Sequence, residues 1–476
     1  MRSSRLTPLI VASALLMENI DGTVISTSLP AIAADIHQNP LALKLALTSY
    51  LLALAIFIPM SGWVADRFGA RRIFRGAIVV FTLGSVLSGA SHSLLGFVLA
   101  RFLQGFGGSM MSPVGRLVVL RSTRRTEIVQ AFAWLTVPAM IGPMIGPPLG
   151  GFLTTYASWR WIFWINVPIG AVGVVLATLF VSELREDTKR PLDITGFLLS
   201  AFGLSGVVFG ATVAGLGFLS NLATAALIVG GLVFILLYVA HARRAAHPLL
   251  DLRLLQIGTF RASVTGGTLF RIAAGAVPFA LPLMLQLGFG MSPFESGLLT
   301  LANAAGSLIM KFTATQVLKR FGFRSVLAWN GSLCVFFFAV NALFWKGMPV
   351  ELIFAVLLVS GFFRSLEFTG LNALGYCDIE LESMSRATSF SATAQQVAQA
   401  LGVAVAGAAI EGSRALRGGA SIRTSDFRVA FLVVAAFSAL SLISFIKLPR
   451  NAGALVAGHR SASEGGVGEP ASSAAE

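Results

Sequence analysis

Charge is scarce in this chain: Asp, Glu, Lys and Arg make up 12% of its 476 residues, about half the share a soluble domain carries. Length alone suggests about three water-soluble domains, and this shortage of charge excludes them. Cysteine is nearly absent. Cys334 and Cys377 form no CxxC and no His/Cys cluster, so the sequence holds no disulfide framework and no zinc site; both read as small apolar fillers. There is no phosphate-binding Walker loop, no HExxH and no GxSxG, which argues against ATP-driven pumping and against the common hydrolases. Nor is any extramembrane stretch long enough to hold a catalytic or sensing unit. No catalytic residue, metal or cofactor is expected.

What fills the chain instead is apolar: 55% of residues are hydrophobic and the mean hydropathy is +0.81. Runs of roughly 20 apolar residues recur, each long enough to cross a ~30 Å hydrocarbon core as a helix. Fourteen such runs are expected, with the ninth and tenth divided at 288–293. The first follows Arg2 and Arg5 and mimics a signal peptide. It contains Glu18 and Asp21, runs on to Pro30 and lacks a small-residue cleavage site, so it reads as an uncleaved span.

The net charge of +14 is dispersed through short loops rather than gathered on a nucleic-acid-binding face. Alternate loops hold Arg67, Arg71, Arg72 and Arg75; Arg116, Arg121, Arg124 and Arg125; Arg185, Lys189 and Arg190; Arg243, Arg244, Arg253 and Arg261; and Lys319, Arg320 and Arg324. The loops between them carry Lys44, Arg160 and Lys346 singly. By the positive-inside rule this alternation places both termini in the cytoplasm. The last external loop, with Arg414, Arg417 and Arg423, breaks the rule. Either span 13 or 14 is misassigned, or charge counts for little so late in the chain; the second reading is preferred.

DRFGARR from Asp66 is echoed by KRFGFRS from Lys319. Each is a basic, glycine-centred turn after an apolar run. Span 2 corresponds to span 10 if spans 7 and 8 are inserted between two six-helix halves, an arrangement transporters build around a midplane site. The expected division is 1–185, a six-helix bundle; 186–245, two inserted helices; 246–449, a second six-helix bundle; and 450–476, a disordered cytoplasmic tail rich in Gly, Ser, Ala and Glu.

Charges inside the apolar runs are the candidate functional residues. A carboxylate in the bilayer costs several kcal/mol unless paired, hydrated or protonated. Glu18 and Asp21 are spaced i, i+3 and share one helix face, so they could load and release a proton as access alternates; alternatively Asp21 is a fixed hydrogen-bond acceptor. Arg101, early in span 4, is either their countercharge or a side chain snorkelling to an interface. Arg271 and Lys311 lie deeper than snorkelling explains. Arg364 and Glu367, also i, i+3, are expected to neutralise each other. Four basic groups within the spans would favour an anionic or zwitterionic substrate. Asp66 could cap the following helix and pair with nearby arginines, closing a charge latch, with Gly69 permitting the tight turn. Gly142, Gly146 and Gly150 recur on one face and allow close helix approach, while Pro143, Pro147 and Pro148 should bend or break that helix. Most of the phenylalanines should face lipid or fill helix seams. Trp159, Trp161 and Trp164 read as an interfacial belt.

Several of these stretches resemble one family in the order it requires. NIDGTVISTSLP from Asn19 resembles the first-span motif of the fourteen-span drug:proton antiporters of the major facilitator superfamily. GWVADRFGARR from Gly62 resembles the signature loop of that superfamily, and RFLQGFGGSMMSPVGR from Arg101 its fourth-span motif. IGPMIGPPLGG from Ile141, which ends on Gly150 and Gly151, resembles its antiporter motif. WRWIFWINVPIG from Trp159 and PLDITGFLL from Pro191 are similar to family stretches around spans 6 and 7. The resemblance covers nearly the whole chain, though Glu18 departs from the family pattern. It implies an all-α membrane protein of the major facilitator fold that exports small molecules across the inner membrane in exchange for protons, as a monomer in the lipid bilayer. The gate would lie in Gly62, Asp66, Arg67, Gly69, Arg71 and Arg72. A dedicated exporter of one metabolite, such as an organic anion or metal chelate, is the second reading; a membrane receptor or enzyme without transport has no motif in its favour.

Overall fold

In the computed structural model every regular element among the described residues is helical. The structure describes residues 3–123, 127–181, 183, 191–419, 421–449 and 452–453. Arg2, Arg124, Arg125, Arg185, Lys189, Arg190 and the expected tail at 450–476 lie outside these, apart from Ala452 and Gly453.

The long helices are α1 (Ser3–Val24), α2 (Lys44–Phe57), α3 (Ala70–Gly89), α4 (Leu94–Ser122), α5 (Ile128–Tyr156), α6 (Asn166–Phe180), α7 (Ile194–Val213), α8 (Asn221–Ala242), α9 (Gly258–Leu283), α10 (Pro293–Phe321), α11 (Phe323–Val340), α12 (Val350–Tyr376), α13 (Met384–Leu416) and α14 (Thr424–Ile446). Among the described residues, eleven helical segments are long and apolar enough to cross a membrane, so the chain is a multi-pass membrane protein. The segments that meet this test exclude α5, α10 and α13. α10 carries Glu295, Asn303 and Lys311, and α13 carries Gln395, Gln396 and Gln399; these polar residues dilute their hydropathy.

Helices α1 to α6 pack on one another, chiefly α1 on α5, α2 on α4, and α3 on α4 and α6. Helices α9 to α14 do the same, chiefly α10 on α12, α9 on α13 and α14, and α11 on α12 and α14. Two seams join these bundles, α5 with α10 and α2 with α13. α7 and α8 pair with each other, and α7 lies against α2 and α13 on the outside of the second seam. Asp193 pins that pair: its Oδ1 caps Gly196 N–H at 2.8 Å and lies 2.7 Å from His241 Nε2 of α8.

The two echoed turns have the same geometry. Gly69 (φ 96°) alone separates the helix Ser61–Phe68, which continues α2, from α3; Gly322 (φ 74°) alone separates α10 from α11. A side chain at such a φ is strained, which leaves glycine as the residue that turns the chain in one step. Asp66 does not cap the next helix: it lies inside Ser61–Phe68, and Gly69 occupies the cap of α3 without a side-chain hydrogen bond.

The named contacts joining the bundles gather at the face opposite the N-terminus. Gln286 Nε2 donates to Thr27 O at 2.9 Å, and Phe294 N–H donates to Thr155 Oγ1 at 3.2 Å. Gly151 of α5 lies on the backbone of Pro293, and Gly297 of α10 on that of Pro147. The stem and ammonium of Lys44, fully buried, cross Gly407 of α13, and Nζ donates to Ala214 O beyond α7 at 3.3 Å. One hydrophobic core cluster therefore runs from Val24, Ile25 and Phe163 into α9, α12 and α14.

Two arginines of the last loop on this face are paired in place. Arg417 pairs with Asp426 at 2.8 Å, the Arg423 N–H donates to the same carboxylate, and Arg414 pairs with Glu411. Of the three clustered tryptophans, Trp159 does not face outward as an interfacial belt would have it. Trp159 is buried against Phe97 and Phe163, with the Arg160 guanidinium over its ring, while Trp161 is half exposed.

Candidate functional site

Asp21 sits in α1 three residues before its end and is fully buried. Its carboxylate points into the first bundle, where α4 and α6 supply its partners. Arg101 Nη1 of α4 donates to Oδ2 at 2.6 Å. Gln104 Nε2, one turn along α4, donates to Oδ1 at 2.8 Å, and Asn166 Nδ2 at the start of α6 donates to Oδ1 at 3.0 Å. Arg101 Nη1 also donates to Gln104 Oε1 at 2.7 Å. Asn166 Nδ2 donates to Ser85 Oγ of α3 at 2.9 Å, and that hydroxyl donates to Phe163 O at 2.8 Å. The guanidinium of Arg101 lies 4.4 Å from the centre of the Tyr50 ring. Arg101 is 1% exposed; it is the countercharge of Asp21 and does not snorkel.

The pairing joins residues 80 apart in sequence and brings three helices, α1, α4 and α6, together at one carboxylate, with α3 attached through Ser85 and Asn166. A buried carboxylate without such donors is very costly; here one cation and two amides occupy both oxygens. The carboxylate therefore ties α1 to both α4 and α6. Glu18, one turn earlier, lies beside Ser112 and Arg116 of α4, with one buried oxygen that has no hydrogen-bond partner.

The glycine face of α5 meets α1 itself. A Cβ on Gly142 would strike Asn19, on Gly146 it would strike Thr23, and on Gly150 it would strike Val24 and Thr27. These residues flank Glu18 and Asp21, so the close helix approach fixes the backbone that carries both acids. Pro143, Pro147 and Pro148 do not break α5, which runs unbroken from Ile128 to Tyr156. Proline is tolerated inside membrane helices when neighbours hold the freed backbone groups.

Around Gly69, Asp66 pairs with Arg121 near the end of α4 at 2.9 Å, both about one-fifth exposed. Arg71 donates to Thr178 O of α6, and Arg72 lies 3.5 Å from Glu183. The partner of Asp66 thus comes from another helix, not from the arginines of its own turn. Gly62 has open space where a Cβ would stand. Arg67 forms the last turn of Ser61–Phe68.

Of the charges Arg271, Lys311, Arg364 and Glu367, which are candidates for a substrate cavity, Arg271 and Lys311 lie apart from Glu367. Arg271 is 2% exposed and donates from Nη2 to Asn372 Oδ1 at 2.9 Å and from Nη1 to Ser263 O at 3.4 Å. Lys311, exposed, donates to Thr369 Oγ1 at 2.8 Å. Thr369 and Asn372 are one turn apart, so both cations approach one face of α12. Glu367 is on another face, where Asn330 Nδ2 donates to it at 2.7 Å. No ion pair links Glu367 to Arg364 among the described residues: i, i+3 spacing gives a shared face, but Asn330 of α11 captures the acid. Gln104, Asn166, Ser85 and Asn330 were not singled out from sequence, and Lys44 was read only as a lone loop charge. Amides and a lysine within apolar runs were the available signal.

The sequence model described as "Major Facilitator Superfamily" matches residues 11–242 and 264–469. The chain belongs to the major facilitator superfamily. Its members are transporters, not enzymes. Relatives named "Putative multidrug resistance protein MdtD" include one from Salmonella dublin and one from Escherichia coli O6:H1. Each is 37% identical over 448 residues, covering 93% of this chain and 94% of the relative. One from Serratia proteamaculans is 38% identical over 403 residues, covering 84% and 83%. Among solved structures, an auto-inhibited POT family peptide transporter superposes with a TM-score of 0.70 at 18% identity, covering 93% of this chain and 96% of that one. The human organic anion transporter MFSD10 superposes at 0.59 and 14% identity, covering 93% and 99%. At these identities the likeness concerns the fold alone.

Proposed function

We propose that this superfamily member is a proton-coupled secondary transporter that exports small molecules across the bacterial inner membrane by alternating access. The buried Asp21–Arg101–Gln104–Asn166 network carries the reading. Protonation of Asp21 removes the charge that holds Arg101, and so frees α1 from α4 and α6; release of the proton restores the bond. The α5 glycine face transmits a shift of α1 to the α5–α10 seam, because Gly151 and Pro147 contact α10 directly. Glu18 is a second carboxyl on the same helix and the Asp66–Arg121 pair is the latch.

In this reading the chain crosses the membrane fourteen times: a six-helix bundle over 1–185, an inserted pair over 186–245 and a second bundle over 246–449. Both termini are cytoplasmic, by the alternation of loop charge. The face sealed by Gln286, Lys44 and the α5–α10 contacts is then external, and the described conformation is closed to the outside. The protein works as a monomer. Export, and a broad substrate range, are inferred from the names of the MdtD relatives.

A dedicated exporter of an organic anion or metal chelate is the second reading. It is favoured by Arg271 and Lys311, two cations that approach one face of α12 and have no carboxylate partner among the described residues. Transport by reconstituted protein under an imposed pH gradient, with citrate and lipophilic cations in the panel, tests both readings. Flux indifferent to the gradient would remove proton coupling, and flux of citrate but of no cation would select the second.

A further inference from the structure

α12 carries an acid that the transport reading does not use. Glu367 is fully buried and faces the seam of α12 with α11 and α14, away from Lys311 and Arg271. Asn330 Nδ2 donates to its Oε2 at 2.7 Å and also to Phe363 O at 3.0 Å. Oε1 is buried and has no hydrogen-bond partner. Gly331 and Leu442 of α14 close that side.

The titratable and charged groups around it are few. Cys334 of α11 lies 3.9 Å from the Asn330 amide. Arg364, on α12 itself, makes no ion pair with Glu367. From α10, Lys311 is bonded to Thr369; from α9, Arg271 is bonded to Asn372 and Ser263. α14 presents Leu442. No cation therefore stands at ion-pairing distance among the described residues. Asp21 shows the contrast: it has an arginine and two amides. A carboxylate left in the Glu367 environment would be strongly disfavoured, whereas a neutral acid can still accept the Asn330 hydrogen bond at Oε2 and carry a proton on its other oxygen.

We propose that Glu367 is a second proton-binding group, held inside the C-terminal bundle and independent of Asp21. One proton from water forms an O–H bond at a carboxylate oxygen and returns to water on release; no other bond changes. Only the use of this proton in transport rests on the proton-coupled reading, since the protonation itself does not.

Infrared difference spectra of the full chain in lipid, at neutral pH in H2O and D2O, test this with the proton as the probe. A protonated-carboxyl stretch that shifts in D2O is expected in the wild type. One component of it should disappear in Glu367→Gln and persist in Asp21→Asn. In Asn330→Leu that component should remain and move to higher frequency, because the hydrogen bond is gone. An unchanged band in Glu367→Gln would overturn the proposal. Should that variant fail to fold, an unmoved band in Asn330→Leu overturns it instead. A component assigned to Glu367 in a protein without gradient-driven flux would uphold the site while removing the transport reading.

Discussion

Asp21 and Arg101 should each be costly to neutralise alone and far less costly together. The two are 0% and 1% exposed and 2.6 Å apart, and removing one partner of such a buried pair costs about 3–5 kcal/mol. Asp21→Asn keeps the shape but turns one oxygen into a donor. Arg101, Gln104 and Asn166, which share two oxygens in the wild type, then face a single acceptor, and each buried donor left without one costs about 1–3 kcal/mol. Arg101→Gln removes the cation and leaves the carboxylate with two amides, a loss of similar size. With both changes no charge is stranded, so the double variant should lie above the sum of the singles by about 2–4 kcal/mol, well beyond the roughly 0.5 kcal/mol within which independent sites add. Since 1.4 kcal/mol is about a factor of ten, the coupling exceeds a tenfold change in the folded-to-unfolded ratio. Denaturant titration of the four proteins in detergent micelles measures it. Losses that add within about 0.5 kcal/mol would refute the claim that these charges act as a pair.

Three further outcomes are expected. Lys44→Met removes the ammonium that spans α2, α13 and the end of α7, so a cysteine placed at Ser28 should react faster with a membrane-impermeant thiol reagent; an unchanged rate would contradict the seal. Asp66→Ala should slow turnover about fivefold, in keeping with about 1 kcal/mol for a partly exposed pair, while substrate affinity stays the same; unchanged turnover would make the turn merely structural. Asp35, outside the spans, is held below the ordinary carboxylate range by its hydrogen bond from Arg160, 2.8 Å away. A depressed carboxyl stabilises the fold above its ordinary titration range, and that stability is lost as pH falls through the lowered value. The melting temperatures of wild type and Asp35→Asn should therefore differ near neutral pH and converge in acid; a constant gap would contradict the pair.

Much of this was legible in the sequence because the bilayer penalises charge so heavily. Asp21, Glu18 and Arg101 stand out within apolar runs, and Gly69 and Gly322 mark turns that a side chain would strain. The direction of side chains was not legible. The linear pattern left Arg101 as either the countercharge of Asp21 or a snorkelling side chain, and gave no sign that Asn330 takes Glu367 from Arg364. Gln104 and Asn166 went unnoticed because an amide costs far less in an apolar run than an ion does. The arginines of the last loop lie beside Glu411 and Asp426, acids close enough along the chain to have been noticed in the sequence, though they were not.

Proteoliposomes with an imposed pH gradient test the central claim most directly, with wild type and Asp21→Asn compared on the same substrate panel. The account predicts that the gradient drives flux of at least one compound through the wild type, and that Asp21→Asn inserts normally but loses that drive. Full gradient-driven flux through Asp21→Asn would contradict it.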